Sequence, residues 1–244
     1  MKRLNFLLLF LFMVSFFSTL AMGNEFEFAS ADQAVSTGKA YLAKKEYASG
    51  EECFRKAVEI DPLCSDAWGL LGESMIAGKN SYRIDESDEE IPQCLQKAIS
   101  LDPKNHGAFS SLGTFYLYLG DYENAEKYYQ KALNLKSDLV YISNLAMVFY
   151  LNGNKSASEK LRKLGCDTYP TNFNIHLDYV EQMFSSSKYL EALPYYKRLT
   201  VLSEGHPEKE ELVIKIYDRA KERESKSIIS RFSKTFQMLK WQRK

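Results

Sequence analysis

Shifted against itself by about 34 residues, the chain lays small residues over small ones and large over large. With copies beginning at residues 31, 65, 106, 139 and 173, position 8 is Gly38, Gly72, Gly113, Ala146 and Val180, and position 20 is Gly50, Ile91, Ala125, Ser158 and Ala192. Position 24 is Phe54, Leu95, Tyr129, Arg162 and Tyr196; position 27 is Ala57, Ala98, Ala132, Gly165 and Leu199. Positions 4, 8 and 11, and again 20, 24 and 27, step by three and four, which places each set on one stripe of an α-helix. Each copy thus predicts two helices, A and B, with small residues at 8 and 20 facing each other and large ones at 11 and 24 filling the space beside them. Position 32 is Pro62, Pro103, Ser137, Pro170 and Glu204, and a proline there cannot continue helix B. A helix pair of this size cannot bury its apolar face alone, so it must stack on the next. The expected fold is all-α, an α-solenoid: a superhelix of helix-turn-helix repeats with a C-terminal capping helix or helices.

Trp68, Leu71 and Gly72, spaced as W-x2-L-G, and the closing pairs Asp61-Pro62 and Asp102-Pro103 resemble the tetratricopeptide repeat family. The resemblance covers residues 31–206 as five copies, 31–64, 65–105, 106–138, 139–172 and 173–206. The fourth departs from the pattern at Arg162 and Gly165, the fifth at Val180 and Glu204. The second is longer, and its extra residues around 79–90 carry Asp85, Glu86, Asp88, Glu89 and Glu90 without the glycine and terminal glutamate of an EF-hand loop.

The resemblance implies a concave groove lined by A helices, in which a partner peptide or helix is held. Positions 5, 9 and 12 of helix A supply the candidate groove residues Ser110, Thr114, Leu117, Ser143, Met147, Tyr150, Leu177 and Glu181. Family members that grip a terminal carboxylate use two lysines, an arginine and two asparagines, and only Lys39 and Asn144 stand at matching positions here. The groove is therefore expected to offer a small uncharged patch around Met147 and Tyr150, suited to an apolar segment. The implied function is a non-enzymatic protein–protein interaction scaffold or adaptor. The alternatives are a small apolar ligand-binding or transport-associated protein, and a peripheral membrane adaptor.

Residues 1–23 place Lys2 and Arg3 before an apolar run and end in Ala21 and Gly23, the form of a secretory signal with Asn24 as the first mature residue. The same run, if uncleaved, is an N-terminal inner-membrane anchor. Either way the folded part is expected outside the cytoplasm: periplasm, cell envelope or secreted. Residues 24–30 form a short linker, and 207–224 predict a capping helix with Leu212, Val213, Ile216, Tyr217 and Ala220 on one face. Residues 225–244 predict a basic amphipathic tail helix. Its Lys226, Arg231, Lys234, Lys240, Arg243 and Lys244, with no acid among them, are candidates for contact with an anionic membrane surface or an acidic partner.

Lys plus Arg equals Asp plus Glu at 32 each, so no overall field draws nucleic acid, and none is expected as a partner. Cys53, Cys64, Cys94 and Cys166 include no CxxC and no metal-ligand spacing with His106, His176 or His206. No nucleophile elbow, phosphate loop or zinc-protease motif occurs, so neither catalysis nor a cofactor is expected.

Overall fold

The computed structural model describes residues 27–79 and 84–223, and among them eleven helices and no strand. They run in antiparallel pairs: α1 (Ala31–Ala43) with α2 (Tyr47–Ile60), α3 (Ser65–Lys79) with α4 (Glu90–Leu101), α5 (His106–Tyr118) with α6 (Tyr122–Leu135), α7 (Leu139–Leu151) with α8 (Lys155–Thr168), and α9 (Phe173–Ser185) with α10 (Tyr189–Ser203), followed by α11 (Pro207–Arg223). Helices α1–α4 form one compact unit; α5–α11 and residues 84–88 form a second. The leader 1–23 and the tail 225–244 lie outside the described residues.

Helix borders follow from local chemistry. The side chains of Ser30, Asn105, Asp121, Asp138, Asn154 and Asn172 each accept a hydrogen bond from an amide two or three residues on, satisfying donors that the first turn leaves over. At the other end of helix A the chain reverses through one left-handed residue, always at position 15: Lys45 (φ 63°), Gly120 (φ 77°), Gly153 (φ 80°) and Ser187 (φ 58°). In three copies the next amide then donates five residues back, Glu46 to Tyr41, Asp121 to Tyr116 and Lys188 to Met183, at 2.9 to 3.0 Å. In the second copy position 15 is Lys79, still within α3. There Asp85 accepts from the Ser87 amide and Asp88 from the Asp85 amide, so these carboxylates serve their own turn.

In the first unit α1 packs on α2, α2 on α3, α3 on α4 and α1 on α3. The small eighth position has a sharper role than facing position 20, since it lies under the side chain of position 24. A Cβ on Gly38 would meet the Phe54 ring at 2.6 Å, and one on Gly72 would meet Leu95 at 2.6 Å. Phe54, Leu95, Ala57 and Ala98 are all fully buried. Arg55 pairs with both Glu51 and Glu90, tying α2 to α4, and Ser65 donates to the Ala98 carbonyl at 2.9 Å.

In the second unit the same contact recurs, with the Gly113 Cβ position 2.8 Å from the Tyr129 ring. The Tyr129 hydroxyl meets Thr114 at 2.9 Å. Tyr116 and Tyr128 stack at 5.4 Å with ring planes 4° apart. At the fourth copy the pattern changes. Gly165 replaces alanine because Ile175 comes within 2.8 Å of where its Cβ would stand, and Arg162 occupies the core position while remaining only 9% exposed. Pro194 lies inside helix α10, on its exposed side. Helix α11 covers α9 and α10 with Val213, Ile216 and Tyr217, which join Val180, Met183 and Tyr196 in one core. Leu212, placed on that face from the sequence, stays largely outside it.

Candidate functional site

In the second unit, α7, α8, α9 and α11 enclose a cleft of about 360 Å³ lined by Met147, Tyr150, Arg162, Asp178, Glu181, Gln182, Ser185 and Arg219. One wall is apolar. Met147 and Tyr150 lie one turn apart on α7 and remain 43% and 38% exposed, large side chains that the fold leaves uncovered.

The opposite wall is α9, and residues 178, 181, 182 and 185 are spaced to share one side of it. Arg162 approaches from α8. Its side chain starts at a core position, where the other copies hold an aromatic or leucine, and passes between the helices to the cleft. Its Nε lies 3.4 Å from Ser158 Oγ and its Nη1 3.7 Å from Asp178 Oδ2. That second distance is an ion pair but not a hydrogen bond. Burial therefore dominates at Asp178 and raises its pKa, with Arg162 opposing the shift. Glu181 pairs with Arg219 of α11 at 3.4 Å, both side chains being well exposed. Gln182 is only 7% exposed. Its Nε2 donates weakly to the Lys155 carbonyl at 3.4 Å, and its Oε1 has no partner.

Of the groove residues expected from the sequence, the cleft gathers Met147, Tyr150 and Glu181. Thr114 is engaged by Tyr129, Leu117 packs against the core of α6 and α7, and Leu177 packs on the C-terminal core. Ser110 and Ser143 are half-buried on α5 and α7 and do not line the cleft. The expectation of an uncharged patch is corrected: four ionisable side chains stand beside Met147 and Tyr150. Sequence reasoning missed Asp178, Gln182, Ser185 and Arg219, and treated Arg162 only as a departure from pattern. The available signal was that a buried arginine requires an acid nearby.

Elsewhere the histidines have structural partners. His106 Nδ1 lies 2.7 Å from the Tyr141 hydroxyl, and His176 Nδ1 lies 2.9 Å from the Asn172 carbonyl. All four cysteines are free thiols, with only Cys64 partly accessible. Burial raises the thiol pKa of Cys94 to about 11 and of Cys166 to about 12. The tail cations Lys226, Arg231, Lys234, Lys240, Arg243 and Lys244 lie outside the described residues.

Comparison with known proteins agrees with this architecture. Residues 107–139 and 37–62 match models of the tetratricopeptide repeat. The chain is 28% identical over 141 residues to anaphase-promoting complex subunit 3 of Schizosaccharomyces pombe, covering 57% of this chain and 20% of that protein. It is 28% identical over 106 residues to the human cilia- and flagella-associated protein 70, covering 42% of this chain and 9% of the other. The chain thus spans at most a fifth of the length of these two relatives. Among solved structures, PilF of Pseudomonas aeruginosa superimposes with a TM-score of 0.61 at 17% identity, covering 86% of this chain and 91% of that one. At that identity the likeness is one of fold.

Proposed function

We propose that this tetratricopeptide-repeat protein is a non-enzymatic interaction scaffold that acts outside the cytoplasm and holds a segment of a partner protein against the A helices of its fourth and fifth copies. One observation carries the reading: Met147 and Tyr150, both large and uncovered, face a wall that carries the ion pairs Arg162–Asp178 and Arg219–Glu181. Surfaces that combine an adaptable methionine, an accessible tyrosine and polar groups of fixed position are suited to anchoring a partner chain. The repeat relatives belong to assemblies by name, a complex subunit and a flagella-associated protein, which fits a scaffold role.

Export is supported by the leader at residues 1–23, and the peripheral role of the basic tail by its run of cations. Intact-mass measurement of protein from its native cell should give a mature chain beginning at Asn24. An uncut chain recovered from the membrane fraction would favour the anchor instead.

The groove reading is tested by placing a photoreactive phenylalanine at position 150, in the cleft, or at position 164, where Leu164 is exposed on α8. Irradiation in the native cell should give discrete crosslinked species from position 150 alone. Equal or absent crosslinking at the two positions overturns the reading.

A further inference from the structure

Asn154-Lys155-Ser156 is the one place in the sequence where an asparagine stands two residues before a serine or threonine with no proline between. The fold sets it in the turn from α7 to α8, within a run, 151–156, in which every residue is exposed. A Cβ on the neighbouring Gly153 would meet nothing within 4 Å, so the space around the turn is open. The Asn154 amide can be assigned atom by atom. Its oxygen accepts from the Ala157 amide at 3.1 Å, and only an oxygen can receive that N–H, so Nδ2 is the other, unengaged end of the group. Among the described residues nothing receives its hydrogens.

Helix capping explains the asparagine and not the serine. Asn105 and Asn172 cap α5 and α9 by the same kind of bond, and two residues after them stand Gly107 and Asn174. Position 18 of the repeat, which Ser156 fills, is Ala48, Glu123 and Leu190 in the first, third and fifth copies. The Ser156 side chain is exposed and, among the described residues, makes no hydrogen bond. An accessible asparagine with a hydroxyl two residues on is the acceptor that an oligosaccharyltransferase uses. Transfer joins Nδ2 to the anomeric carbon of a lipid-diphosphate-linked oligosaccharide. The bond from that carbon to the diphosphate oxygen breaks, the lipid diphosphate departs, and one amide proton is released; nothing is oxidised or reduced. The Asn154 oxygen takes no part, so the folded chain keeps its cap on α8 with the sugar attached.

We propose that Asn154 is an N-glycosylation site and that the turn between α7 and α8 carries an oligosaccharide. The inference rests on the export reading above, since the chain must cross the membrane to meet the transferase. Asn154 is not among the residues that line the cleft, so the sugar is attached outside the proposed partner site.

The test weighs the intact protein from its native cell before and after treatment with peptide-N-glycosidase in heavy-oxygen water. The untreated chain should exceed its polypeptide mass by an oligosaccharide that the enzyme removes, leaving an isotopically labelled carboxylate at residue 154. Asn154→Asp keeps a capping oxygen, and Ser156→Ala leaves the Asn154 cap in place, so both should fold with an unchanged melting temperature. Both should lose the whole of the added mass, and Ser156→Thr should retain it. A chain that begins at Asn24 and carries no added mass, or an added mass that persists in Asn154→Asp, overturns the site and leaves export standing. A full-length chain without sugar in the cytoplasmic fraction overturns both.

Discussion

Position 15 of each repeat asks for one backbone state, and the chain answers with different residues. Gly120 and Gly153 adopt positive φ freely, whereas Lys45 and Ser187 are held there against the clash of their own Cβ. Lys45→Gly and Ser187→Gly should each raise stability by about 1 kcal/mol in urea unfolding, and Ser187→Ala should not. The reverse holds at position 8. Gly113→Ala sets a methyl 2.8 Å from the Tyr129 ring and should cost about 1–3 kcal/mol, with a comparable loss at Gly38→Ala. Both sites were legible as small or turn positions in the repeat. The ring above each glycine was not, because a helical stripe tells which residues share a face and not which atom comes closest. The thiols follow burial in the same way: at pH 8 iodoacetamide should label Cys64 in the native protein and reach Cys53, Cys94 and Cys166 only after unfolding.

Between elements, the most informative contact is α8 against α9. Arg162 leaves a core position to meet Asp178, and an arginine so buried needs that charge more than the half-exposed Asp178 needs it in return. Asp178→Ala should therefore lower stability by about 1–2 kcal/mol, a figure reduced for the solvent that reaches the carboxylate. Arg162→Leu combined with Asp178→Asn should recover that loss or exceed it. Titration separates two groups on α9. Burial holds the His176 pKa below its ordinary 6.5, so the unfolded chain takes up a proton that the folded ring refuses. Its contribution is complete above pH 6.5 and declines as the pH falls below it, and His176→Phe should flatten that part of the stability curve. Asp178 acts oppositely. With its pKa raised, the folded state binds more protons than the unfolded one just above the ordinary value of 3.8, and the penalty of its charge is relieved as the pH falls through that window. Helix pairing was readable because five copies repeat one stripe. The cleft was not, because its decisive residue belongs by register to the core and only by length to the groove.

Within each unit every helix packs on its neighbours in sequence, so disturbances are expected to stay where they are made. Hydrogen exchange should show Asp178→Ala loosening α8 and α9 while protection in α1 to α4 is unchanged. Removing α11 should expose the surface now covered by Val213, Ile216 and Tyr217 and render α9 and α10 aggregation-prone, measured by light scattering on heating. The two tetratricopeptide matches, at 37–62 and 107–139, fall on helix pairs that keep glycine under an aromatic ring. The fourth copy, with Arg162 and Gly165, departs from that arrangement. An engineer idealising this array toward a consensus would begin there, writing tyrosine for Arg162 and alanine for Gly165. The first change would take the guanidinium from the cleft, and the second would drive a methyl into Ile175. The irregular copy is thus the part of the array that standardisation would damage first, since its deviations are what distinguish this scaffold from a generic stack of helices.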